Sequence, residues 1–179
     1  MKKAQDEVRQ VVGGKPKITD SDIKELSYLR LVIKEALRLH PPAPLLVPRL
    51  TTDKFEILGY DIPVKTQVVF NAYAMARDPD YWGEPEVFKP GRFEESSVDF
   101  KGTNYEFIPF GAGRRLCPGI MFGLVSLETV LANLLYYFNW SLPEGMTDLD
   151  MSEIGGLGAR RKYDLCLLAN PFIPLPTDI

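Results

Sequence analysis

The sequence predicts an α+β fold, mainly α with small β-sheets. Three observations predict it: long stretches whose apolar residues recur every three or four positions, short stretches where they alternate, and a composition near the globular average. Of 179 residues, 45% are hydrophobic and 25% charged, which argues against a disordered, collagenous or coiled-coil chain and for one domain or part of one. The 21 basic and 24 acidic side chains leave a net charge of -3. That balance gives no bulk positive field, so nucleic acid is not an expected partner. Two cysteines, Cys117 and Cys166, are too few for a disulfide framework, and the single histidine, His40, excludes zinc held by several Cys and His ligands.

Lys2 to Val12 places Val8, Val11 and Val12 on one helical face and stops at Gly13-Gly14. The N-terminus has positive charge but no apolar core of signal-peptide length. A capping box, Thr19-x-x-Asp22, opens a second helical stretch in which Ile23, Leu26, Leu29, Ile33, Ala36 and Leu37 keep a buried spacing until Pro41-Pro42. The four prolines of 41–48 stiffen an apolar segment. Alternation at Phe55 and Ile57, and at Val68 and Phe70, with Gly59 and Pro63 between, predicts short strands. Asp78 to Gly113 carries neither period and is expected to be a long irregular segment, which usually marks function. Pro118 to Phe138 returns to helical period. Leu116 to Pro143 carries only Glu128 as a charge, but Pro118, Gly119, Gly123, Ser126, Asn133 and Asn139 break the apolar run, so it is read as a buried helix rather than a membrane span. Lys162 to Ala169, containing Cys166, alternates weakly as a last strand.

The densest chemical signal is Phe110-Gly-Ala-Gly-Arg-Arg-Leu-Cys-Pro-Gly119. Proline favours the first helical turn, so Pro118 is expected to set Cys117 at or beside the cap, where the helix dipole stabilises a thiolate. Gly111 and Gly113 allow close backbone approach, and Arg114 and Arg115 offer forked donors for carboxylates. A pocket holding a thiolate beneath a bulky carboxylate-bearing ligand fits haem.

This loop, with Glu35-Ala-Leu-Arg38 and the FKPGRF segment at Phe88–Phe93, resembles the cytochrome P-450 family of haem-thiolate monooxygenases. Its Phe-Gly-x-Gly-x-Arg-x-Cys-x-Gly pattern is met at Phe110, Gly111, Gly113, Arg115, Cys117 and Gly119. The resemblance implies that residues 1–179 form the C-terminal haem-binding portion of that family's single domain. It also implies that Cys117 is the axial iron ligand, that Arg115 and Arg49 pair with haem propionates with His40 near Arg49, and that Phe110 packs by the thiolate. Glu35, Arg38 and Arg92 become a structural triad; Gly91 stands where many members have glutamate, which the triad does not need.

The implied reaction inserts one oxygen atom from O2 into a lipophilic small molecule, with electrons from an NADPH-dependent reductase. Substrate contacts are expected from Ala43, Pro44, Leu45, Leu46 and Val47 and from Gly156 and Leu157. The wording PPAPLLVPR resembles plant microsomal members, which implies the cytosolic face of the endoplasmic reticulum membrane through an N-terminal anchor. Neither that anchor nor the distal acid-alcohol helix has a counterpart here, so the chain reads as truncated, catalytic distal residues are not identified, and poor solubility and weak haem retention are expected. A non-catalytic haem-binding or structural fragment is the alternative. Cys117 as a hydrolase or redox nucleophile would need a partner base, and His40 lacks the context of one. A dinucleotide fingerprint fails because Leu116 occupies the third glycine position.

Overall fold

The computed structural model describes residues 1–156 and 158–174. Helix α1 (Lys2–Val12) ends as its glycines predict, with the Gly13 N–H donating to the Arg9 carbonyl. The next stretch, expected as one helix, is two: α2 (Asp20–Glu25) and α3 (Ser27–Leu39), parted at Leu26. Apolar spacing runs in phase through the break, so periodicity alone could not reveal it. The capping box forms, with the Asp22 N–H donating to Thr19 Oγ1 (3.3 Å) and the Thr19 N–H to Asp22 Oδ2 (2.9 Å). Hydrogen bonds from Lys15 and then Thr19 hold the Asp22 carboxyl at about 2, below its ordinary 3.8.

Because α3 restarts at Leu26 it has no side-chain cap of its own. Glu7 of α1 supplies one from across the interface, accepting the N–H groups of Tyr28 (2.7 Å) and Leu29 (2.9 Å) and the Ser27 hydroxyl (3.1 Å). A carboxylate there satisfies orphan donors and meets the positive end of the helix dipole.

The expected strands pair antiparallel in two small sheets. In one, β1 (Arg49–Leu50) is joined by a strand at 67–68; in the other, β2 (Phe55–Ile57) and β3 (Tyr60–Ile62) form a hairpin, and β4 (Gln67–Val68) is the partner of β1. Phe70 lies outside any strand, just before the short helix α4 (Ala72–Met75), which Asn71 caps. Asp78 to Gly113 is irregular as expected, apart from a 3-10 turn at Pro90–Phe93 and another that begins at Gly113. Then come α5 (Ile120–Tyr137), β5 (Phe138–Ser141), the pair β6 (Glu153–Ile154) and β7 (Arg160–Arg161), and β8 (Leu168–Pro171), which pairs with β5. The strand expected at Lys162–Ala169 is therefore displaced. Its register is set by β5, with Trp140 opposite Ala169, and Cys166 lies exposed outside the strand instead of packing within it.

Helices α1, α3 and α5 share one core, built from Val8, Val12, Leu29, Ile33, Leu37, Ala132 and Tyr136. The irregular segment contributes Trp82, Phe93 and Phe107 to it, their rings edge-on or tilted at 5.4–6.1 Å. A second, small cluster joins Leu46, Ala72 and Ile108. The α5 helix is long and apolar enough to cross a membrane by length and composition, yet it packs on α1 and α3. Contrary to the expectation of a buried helix, it is buried only in part: Leu124, Ala132, Tyr136 and Tyr137 are buried, whereas Met121 is 71% and Phe122 82% exposed.

Candidate functional site

Three side chains far apart in sequence meet under the irregular segment. Glu35 and Arg38, one turn apart on α3, are both fully buried and form a bidentate pair at 2.9 and 3.0 Å. Arg92 Nε, on the 3-10 turn, donates to Glu35 Oε1 at 3.1 Å, and the Lys89 N–H adds a further bond at 2.8 Å. The two guanidiniums spend their remaining donors on carbonyls of the loop: Arg38 on Ala76 (2.6 Å), Arg92 on Gly83 (2.6 Å), Glu84 (3.0 Å) and Val87 (3.0 Å). Burial pushes the Glu35 carboxyl up, but Arg38, the Lys89 N–H and Arg92 outweigh it and hold the group below its ordinary value. An ion cluster whose every member is hydrogen-bonded ties helix to loop far better than an exposed pair would.

The cysteine loop lies at the end of that same segment. The Cys117 N–H donates to Phe110 O (3.0 Å), the Leu116 N–H to Gly113 O (3.0 Å) and the Gly111 N–H to Ile108 O (2.9 Å), closing a tight turn. Gly111 (φ 78°) and Gly113 (φ 66°) occupy the left-handed region that side chains rarely adopt. Behind the loop, Gly102 is also left-handed (φ 82°), and a Cβ there would stand 3.1 Å from Ala112 Cα, so a side chain at this position would be strained and crowded. Phe110 meets Phe100 edge to face at 5.8 Å.

Cys117 is free and exposed. Its position differs from the sequence expectation: α5 begins at Ile120 with Gly119 as its N-cap, so Pro118 lies outside the first turn and Cys117 precedes the cap by two residues. The first helical bond, Gly123 N–H to Gly119 O, explains the shift. A Cβ on Gly119 would lie 3.8 Å from the Cys117 sulfur, an ordinary contact distance, so the helix cap and the thiol are immediate neighbours.

The arginines complete the test of whether the residues suit haem. Arg115 is exposed and, among the described residues, has no carboxylate partner. Arg49, at the start of β1, brings Nη2 within 4.0 Å of the place a Gly111 Cβ would take and lies over Phe70 at 5.9 Å; among the described residues no carboxylate pairs with it. An open thiol, glycines without bulk and two guanidiniums lacking carboxylates fit a flat, carboxylate-bearing macrocycle. His40 Nδ1 donates to Glu153 Oε1 at 2.8 Å.

The apolar segment divides. Leu46 is buried in the small cluster beneath the cysteine loop, its Cδ1 also 4.0 Å from the Gly111 Cβ position, whereas Leu45 and Val47 are exposed and Ala43 and Pro44 are half-buried. Gly156 sits on the β6–β7 turn, which reaches the same segment through an Ala159 N–H bond to Pro42 O at 2.9 Å. Leu157 lies outside the described residues. Sequence reasoning missed the supporting parts: Gly102, the Lys89 N–H, and Trp82, whose ring lies 5.2 Å from the Arg38 guanidinium. All sit in the aperiodic segment, where no local pattern points to them.

Thiolate ligation of haem is the class of chemistry that such a loop and fold suit. The family model described as Cytochrome P450 matches residues 1–167. The chain is 57% identical over 174 residues to cytochrome P450 71D2 of Catharanthus roseus and 56% identical over 174 residues to premnaspirodiene oxygenase of Hyoscyamus muticus, covering 97% and 96% of this chain. A solved zebra fish cytochrome P450 with abiraterone superposes with a TM-score of 0.83 at 28% identity, over 95% of this chain and 40% of that one. The chain belongs to the cytochrome P450 family, whose haem iron is held by a cysteine thiolate. It spans about a third of the length of the curated relatives it matches, 34% and 35%.

Proposed function

We propose that this chain is the haem-binding portion of a monooxygenase that inserts one oxygen atom from O2 into a lipophilic small molecule, with Cys117 as the axial ligand. The observation that carries the reading is the exposed Cys117 thiol on a loop turned by Gly111 and Gly113 in the left-handed region, with Arg49 Nη2 brought to the Gly111 position. Haem bound through a thiolate supplies electron density that favours O–O cleavage. In this chain Cys117 would donate its sulfur and Arg49 and Arg115 would offer guanidiniums to the propionates, while Phe110, against Phe100, braces the loop. The Glu35–Arg38–Arg92 cluster ties residues 76–92, the part of the irregular segment upstream of that loop, to α3. Exposed Leu45 and Val47 present an apolar wall to the substrate, and a relative named for oxygenating premnaspirodiene supports a lipophilic one. Electrons would come from an NADPH-dependent reductase on the cytosolic face of the endoplasmic reticulum membrane.

The test is the spectrum of the reduced, carbon-monoxide-bound protein reconstituted with haem. A strongly red-shifted Soret band is expected, and Cys117→Ser is expected to abolish it while Cys166→Ser leaves it intact. An unchanged band in Cys117→Ser overturns the assignment. Turnover with the reductase then distinguishes an oxygenase from a protein that only binds haem.

A further inference from the structure

The pair β6–β7 has little to hold it by burial: Glu153, Ile154, Gly155 and Gly156 are all exposed. Its own closure is local, with the Lys162 N–H donating to Ser152 O (2.8 Å) and Arg161 donating to Asp150 O (2.9 Å). Among the described residues, two polar links tie it to the rest of the chain, and both reach the junction between the end of α3 and the proline segment. Ala159 donates its N–H to Pro42 O at 2.9 Å, and a Cβ on Gly158 would come within 3.2 Å of the same oxygen. His40, the C-cap of α3, donates from Nδ1 to Glu153 Oε1 at 2.8 Å. The carboxylate is acceptor-only, so the proton sits on the ring nitrogen.

We propose that His40 is a positioning residue: its bond to Glu153 holds the β6–β7 pair against residues 42–47, so that the two segments form a single wall and set which lipophilic molecules fit beside Leu45 and Val47. The wall's role in selectivity rests on the function proposed above; the docking itself does not. A side-chain hydrogen bond of this half-exposed kind stabilises by about 0.6–1.4 kcal/mol, which corresponds to a roughly three- to tenfold change in opening.

Amide hydrogen exchange on the full chain tests it, reading two protons. In His40→Ala the Ala159 amide, which makes the docking bond, is expected to exchange about three- to tenfold faster, while the Lys162 amide, which closes the pair internally, keeps its rate. Glu153→Gln keeps an acceptor and His40→Gln a donor, so both should return most of the protection. An Ala159 rate unchanged in His40→Ala, or equal acceleration of both amides, overturns the proposal. Because the exchange measurement needs neither haem nor substrate, it stands or falls apart from the spectral test on Cys117. In haem-loaded enzyme the same variant should shift the product ratio from a substrate with two oxidisable positions at unchanged haem content; an unaltered ratio would sink the selectivity role alone.

Discussion

Glu35 has no access to water and accepts from two guanidiniums and a backbone N–H, so its charge is bound into the fold. Removing that charge strands Arg38 in the core, because the carbonyl of Ala76 would be the strong acceptor left to it. Glu35→Gln is therefore expected to cost about 3–5 kcal/mol in chemical denaturation at neutral pH. A loss under about 1 kcal/mol would mean the cluster is incidental. Arg92→Lys should cost less, since lysine keeps the charge but loses the fork that reaches Gly83, Glu84 and Val87 together. The pH dependence has a definite sign. The folded carboxyl titrates below its ordinary value of 4.5, so its contribution is complete above that value and is lost as pH falls through the folded one. The gap between the wild type and Glu35→Gln should narrow on acidification in the same titration.

Helix α3 carries that cluster, and its N-terminus is held by a neighbour. Glu7 accepts the first free donors of α3 in place of a local cap. Glu7→Ala is expected to destabilise the chain by about 1–2 kcal/mol, with Glu7→Gln retaining an acceptor and losing roughly half as much. Denaturation midpoints that coincide for all three proteins would refute the cross-helix cap. This element also shows what sequence could and could not reveal. The Thr19–Asp22 box, the Glu35–Arg38 spacing, the end of α1 and the glycine-rich cysteine loop were legible because each depends on residues within a few positions of one another. The break at Leu26 was not, because Glu7 lies far upstream and the apolar phase continues through it. For the same reason the register of β8 waited on β5, and the start of α5 on a glycine that caps without any side chain. Arg92 could be placed with Glu35 through resemblance, but the carbonyls that complete its site belong to an aperiodic segment and have no sequence signature.

At the scale of the molecule, the exposure of α5 is out of keeping with the rest. Its first turns expose Met121, Phe122 and Val125, and further along Leu127, Val130 and Leu134 make a second exposed stripe at three- and four-residue spacing, Val125 and Val130 being 55% and 56% exposed. Covering an apolar side chain of this size stabilises by about 1.5–3 kcal/mol when complete, and contiguous apolar surface of this kind promotes association. The chain purified alone is therefore expected to self-associate in sedimentation and to enhance the fluorescence of an apolar dye. Replacing Val125 and Val130 with lysine should weaken both signals. Neither residue is buried, so these changes should leave the thermal midpoint of dilute protein within the small range typical of surface substitutions, about 0.5 kcal/mol. Association that persists unchanged in the double variant would place the sticky surface elsewhere, with the exposed β2–β3 hairpin around Leu58, 93% exposed, the next to alter.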